Sequence, residues 1–104
     1  MKPIALTAEN YSDEVKTYDK PVLIDFYADW CGPCRMVAPI IAQLADEVKD
    51  AKICKVNVDE ENSLAAEFGI MSIPTLVVVK NGRVANKAVG VQSKEALLKM
   101  IANA

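Results

Sequence analysis

The run Val22-Leu23-Ile24-Asp25-Phe26-Tyr27 is almost continuously apolar, which predicts a central strand covered on both faces rather than one with a wet side. Thr75 to Lys80 and Arg83 to Val89 read as two more strands. The pair between them, Asn81-Gly82, best tolerates the positive φ angles of a two-residue turn, so an antiparallel hairpin is predicted. From Cys31 onward the period changes. Val37, Ile40, Ile41, Leu44 and Val48 recur at helical spacing, with Gln43, Asp46, Glu47 and Asp50 opposite them. This is the longest predicted helix, and Pro39 inside it removes a backbone donor and crowds the preceding turn, so a bend is expected there. Residues 4–6 suit a short first strand, and Thr7 could cap a helix over residues 8–17 that ends before Lys20-Pro21. Residues 52–58 form the next strand pattern. Asp59 is placed to cap a short helix reaching Phe68, with Gly69 to stop it. Ser93 can cap a last helix that buries Ala96, Leu97, Met100 and Ile101. The order β-α-β-α-β-α-β-β-α predicts one α/β domain over residues 1–104, a mixed sheet with helices on both faces.

Composition narrows the function classes. With 52% hydrophobic residues in 104, the chain buries a core without metal or multiple disulfide staples. The net charge of −2 is spread along the sequence, which argues against a nucleic-acid partner, since that needs a basic face. No apolar stretch approaches the roughly 20 residues that span a bilayer. Only three apolar residues separate Pro3 from Thr7, too few for the apolar segment of a secretory signal, so a cytoplasmic protein without membrane attachment is expected. Three cysteines, two of them close together, do not describe a disulfide-rich secreted scaffold.

The candidate chemistry sits in Trp30-Cys31-Gly32-Pro33-Cys34, which follows the predicted buried strand and opens the long helix. A thiol at a helix start faces unpaired backbone N–H groups and the positive end of the macrodipole, and both favour thiolate over thiol. Cys31 is therefore the expected nucleophile. Cys34 lies on nearly the same helical face and is expected to be more enclosed, which suits a resolving thiol. Pro33 falls in the first turn, where its missing N–H costs no hydrogen bond, and Gly32 leaves room for a substrate backbone. Haem attachment fails because Arg35 follows Cys34 and the chain has no histidine. Zinc or iron–sulfur sites commonly take four Cys or His ligands, more than this chain has. A purely structural staple would gain only about 2 kcal/mol from so short a loop.

Other residues read less sharply. Asp25 interrupts an apolar strand: burial would raise its pKa, but a wet strand end fits the pattern equally. Lys55 by itself reads as an exposed strand lysine, and Pro74 as an ordinary trans proline. Cys54, among Ile53, Val56 and Val58, reads as an inert buried thiol and is given no role.

The segment from Asp25 to Cys34, together with Ile73-Pro74-Thr75, resembles the thioredoxin family. The likeness covers essentially the whole chain, including the Asn81-Gly82 hairpin and Val89-Gly90 before the last helix. It implies the thioredoxin fold, a mixed central five-stranded sheet flanked by four α-helices. It also implies a general protein-disulfide reductant, an electron carrier with no bound cofactor, recharged by an NADPH-dependent thioredoxin reductase and acting as a monomer on disulfide-containing client proteins. By the same resemblance Asp25 assists proton transfer at Cys34, Lys55 modulates Asp25, and the Ile73-Pro74 bond is cis. Trp30, Gly32, Pro33, Ile73, Pro74, Val89 and Gly90 then form a shallow apolar contact surface for clients. Tyr27 departs from the tryptophan many members carry. Two rival readings are a partner-binding subunit whose thiols are incidental and an oxidase or isomerase.

Overall fold

In the computed structural model, which describes residues 2–104, β2 (Val22–Tyr27) lies at the centre of a five-stranded sheet. It pairs in parallel with β3 (Lys52–Asn57) and antiparallel with β4 (Thr75–Lys80). The short β1 (Ile4–Ala5) extends the sheet beyond β3, and β5 (Arg83–Val89) beyond β4, giving the order β1-β3-β2-β4-β5. Four helices complete the chain: α1 (Ser12–Lys16), α2 (Gly32–Glu47), α3 (Asn62–Glu67) and α4 (Lys94–Ala102).

Alternation along β2 explains its apolar run. Val22, Ile24 and Phe26 join Cys54, Val56, Val77 and Val79 in a core under Val15 of α1 and Leu64 of α3. Leu23 points the other way, joining Ile53, Leu76 and Val78 against Val37, Ile41 and Leu44 of α2 and Leu97 and Ile101 of α4. Both faces of the central strands are thus dry, and each strand side chain faces one of two separate cores. The hairpin turns as its sequence requires, with Asn81 at φ 54° and Gly82 at φ 78°. The Ser93 hydroxyl caps α4 by accepting from the Ala96 N–H at 3.1 Å.

Two local expectations need correction. The first helix begins at Ser12 rather than residue 8 and is a single turn of π-helix, its Thr17 N–H reaching Ser12 O at 3.3 Å. Thr7 does cap, but reciprocally with Asn10: the Asn10 N–H donates to Thr7 Oγ1 at 3.1 Å, and the Thr7 N–H to Asn10 Oδ1 at 2.8 Å. Asn10 also donates through Nδ2 to Ala5 O, so these side-chain bonds hold residues 7–10 in a turn that competes with regular winding. The second correction concerns Asp59, which does not cap α3. Residue Glu61 occupies that position without a side-chain bond, and Asn57 Oδ1 organises the turn by accepting from the Asp59 and Glu60 N–H groups. Among the described residues, no helix is long and apolar enough to cross a membrane.

Candidate active site

The chain leaves β2 at Tyr27, and the Cys31 N–H bonds back to Ala28 O at 3.2 Å, turning the backbone into α2. Cys31 is the N-cap residue of that helix, with extended backbone (φ −87°, ψ 114°), while Pro33 sits in the first turn. Its Sγ accepts from the Cys34 N–H at 3.2 Å and is bonded to Cys34 Sγ, the two Cα atoms lying 5.3 Å apart. Sulfur therefore occupies the place that a serine or aspartate oxygen takes at other helix starts, among orphan N–H groups and positive partial charge.

The expected difference in enclosure between the two cysteines is absent: Cys31 is 4% exposed and Cys34 3%. Ala28, Tyr27, Val58 and Ile73 pack around the pair, and the Ile73 carbonyl oxygen stands 3.9 Å from Cys31 Sγ. That carbonyl is brought in by the cis Ile73-Pro74 peptide, which leads into β4. On the far side Pro74 O accepts from the Gly90 N–H at 2.8 Å, and Val89 lies opposite Thr75 in the β4–β5 ladder. Three segments thus converge on Cys31, carrying Trp30 with Gly32 and Pro33, then Ile73 with Pro74, then Val89 with Gly90. Trp30 is 68% exposed, and its indole N–H donates to Asp59 Oδ2 at 2.8 Å. This is the task of Asp59 that sequence reasoning missed: the two residues are 29 apart, and only the fold joins them. Met71, two residues before Ile73, is 96% exposed. Arg35 Nη2 donates to Asp29 O at 3.1 Å across the same turn.

Alternation settles the two readings of Asp25. With Leu23 it faces α2, and it is buried with Oδ1 unpaired among the described residues. Burial pushes its carboxyl up to about 7, opposed by the positive charge of Lys55, its register partner on β3. Asp25, Lys55, Tyr27, Cys34 and Ile41 line one cavity of about 350 Å³. The Lys55 ammonium also lies 5.8 Å from the centre of the Tyr27 ring, within cation–π range. Tyr27 thus keeps an aromatic face at the cavity wall, and burial followed by the charge of Asp29 raises its phenol's pKa. Cys54 points to the opposite core, beside Ile24, where burial pushes its thiol up to about 12 despite the lowering effect of Lys52. Among the described residues, no group of three or more His, Cys, Asp or Glu side chains is placed to hold a metal ion.

The family model described as Thioredoxin matches residues 2–103. The thioredoxin of Chlorobaculum thiosulfatiphilum is 46% identical over 96 residues, covering 91% of this chain and 89% of its own. That of Bacillus subtilis (strain 168) is 44% identical over 102 residues, 97% of this chain and 96% of its own. Among solved structures, a mutant thioredoxin from Halobacterium salinarum NRC-1 superposes with a TM-score of 0.87 at 39% identity, covering 96% of this chain and 88% of that one. With a paired Cys31 and Cys34 at the head of α2, and relatives alike over nearly their full lengths, this chain belongs to the thioredoxin family and is a thiol–disulfide oxidoreductase.

Proposed function

We propose that Cys31 is the attacking and Cys34 the resolving sulfur of a general protein-disulfide reductase. The observation that carries this assignment is Cys31 Sγ at the start of α2, 3.2 Å from the Cys34 N–H. In the reduced protein that N–H and the helix end stabilise a thiolate on Cys31. The thiolate attacks one sulfur of a client disulfide. A bond joins the two proteins while the client's own S–S bond breaks and its second sulfur departs as thiolate. Cys34 then loses its proton and attacks Cys31, the mixed bond breaks, and the remaining client sulfur leaves. Two electrons have passed to the client, and Cys31 and Cys34 are again joined.

Asp25 receives the Cys34 proton through water in the cavity they share, and its pKa near 7 lets it accept and release protons at neutral pH. Lys55 tunes it by holding that value below what burial alone would give. A client segment lies extended beside Ile73 in the manner of an added strand, with Trp30, Gly32, Pro33, Pro74, Val89 and Gly90 around it. The apolar, shallow character of this surface suits many clients rather than one sequence. An NADPH-dependent thioredoxin reductase returns the electrons, and the protein works as a cytoplasmic monomer.

A reductase-coupled assay, following NADPH oxidation with a protein disulfide as client, tests the scheme. Wild type turns over, Cys31→Ser does not, and Cys34→Ser accumulates client-linked adducts on non-reducing gels. Turnover by Cys31→Ser, or a Cys34→Ser variant that forms no adduct, overturns the division of labour.

A further inference from the structure

Most large apolar side chains of this chain are buried, so those left in water identify surfaces that folding does not use. Trp30, Met71, Val89 and Val91 are exposed and lie in or next to the three segments that converge on Cys31. Val84 sits on β5 near the hairpin turn and Leu98 on α4, away from that convergence. Met71 is the extreme case at 96% exposed. It precedes by two residues the Ile73 carbonyl that stands 3.9 Å from Cys31 Sγ. Its side chain contributes next to nothing to the core, yet it projects from the loop that presents backbone to an incoming client.

Methionine at such a place has two physical properties. Its unbranched, polarizable side chain adapts to differently shaped apolar partners. Its thioether is also oxidised to a polar sulfoxide. We propose that Met71 is a peroxide-sensitive contact for the client, its oxidation weakening capture of protein disulfides while leaving the dithiol intact. The proposal rests on the client-docking reading given above. The sulfur lone pair attacks the distal oxygen of a hydroperoxide, an S–O bond forms as the O–O bond breaks, and the proton of the transferred oxygen passes to the other oxygen, which leaves as water or alcohol. The thioether loses two electrons and the peroxide gains them.

The three cysteine sulfurs are protected from the same reagent in the oxidised protein. Cys31 and Cys34 are joined to each other, and Cys54 is fully buried in the opposite core, where its thiol stays protonated. Met36, two residues past Cys34, is exposed at 64%, but its backbone is wound into α2 and offers no carbonyl to Cys31 as the loop from Met71 to Ile73 does. Met71 is therefore the thioether whose oxidation alters the client surface.

The test treats the disulfide form with hydrogen peroxide until peptide mapping shows sulfoxide at Met71, removes the peroxide, and reduces the dithiol chemically. Single-turnover rates are then measured on a protein disulfide and on a small aromatic disulfide. Loss of an apolar contact of this size lowers the ratio of the protein rate to the small-disulfide rate about fivefold. The Met71→Gln variant, a polar mimic, shows the same fall without peroxide. Met71→Leu has the same ratio before and after treatment, and Met36→Leu remains as sensitive as wild type. An unchanged ratio in oxidised wild type and in Met71→Gln overturns the proposal, as does loss of the ratio in peroxide-treated Met71→Leu. Failure of untreated wild type to reduce the protein disulfide would instead remove the docking reading on which it rests.

Discussion

Replacing Asp25 by asparagine removes a titrating group from a buried site while keeping its shape, and the consequence for stability depends on pH in a defined direction. The carboxyl is raised from 3.8 to about 7 in the folded chain because burial disfavours its charge. Below the unfolded value both states hold the proton, and the group has no effect on the folding equilibrium. Between 3.8 and about 7 the unfolded chain has released its proton while the folded chain retains it, so the wild type loses stability as pH rises. Above about 7 both states are ionised and the loss levels off. At about 1.4 kcal/mol per pH unit, the whole interval amounts to about 4 kcal/mol. The substituted amide also leaves a polar group buried, but that cost does not vary with pH and enters as a constant offset. The assay is urea unfolding of wild type and Asp25→Asn from pH 4 to pH 8.5, both with the Cys31–Cys34 bond intact to exclude thiol titration. The difference in unfolding free energy moves in favour of the Asp25→Asn variant by about 4 kcal/mol between pH 4 and pH 7.5, then becomes flat. Groups common to both proteins cancel. A difference that does not change across this range would mean that Asp25 is hydrated and ordinary, and its assignment as proton acceptor for Cys34 would fall with it.

Asp59→Ala frees the Trp30 indole; time-resolved anisotropy of Trp30 emission drops, while stability changes by no more than about 1 kcal/mol because the lost bond is exposed. Unchanged anisotropy would show that packing, not Asp59, orients the ring. Cys54 in native oxidised protein resists iodoacetamide at pH 8 and is labelled only on unfolding, and Cys54→Ala retains disulfide-reductase activity. Rapid native labelling would contradict its burial. Gly82→Ala places a Cβ at φ 78° and costs about 1 kcal/mol in urea unfolding, with no change in the active-site rates. A neutral result would indicate that the hairpin adopts another turn.

Much of this architecture speaks through short-range pattern. The hairpin was legible because Asn81-Gly82 has few alternatives, and β2 because an apolar run of that length has to be covered on both faces. The helix start at Cys31 was legible too, from Pro33 and the periodic residues beyond it. The late start of α1 was hidden, because Thr7 looked like a simple cap and its reciprocal bonding with Asn10 depends on the turn the two make together. The strand pattern alone left Asp25 ambiguous and family likeness favoured the buried carboxylate; strand register then puts it on the same side as α2 and beside Lys55. The place of Asp59 under Trp30, and the equal enclosure of the two redox cysteines, depend on contacts between segments far apart in the chain. The cis geometry before Pro74 was suggested by family likeness alone, since nothing in Ile73-Pro74 itself distinguishes it from an ordinary trans pair.

The adjacent pair Cys54-Lys55 on β3 shows how the pleat keeps unlike chemistries apart. One sulfur is walled off beneath the sheet, and its next-door ammonium stands on the side of the reacting thiols. Sliding this strand by a single residue would exchange them, planting a cation in oil and delivering a third sulfur to a place where mispaired bridges could form. Fidelity of the redox couple is in that sense a property of strand alignment, guarded by the same solvation penalty that forbids the slip.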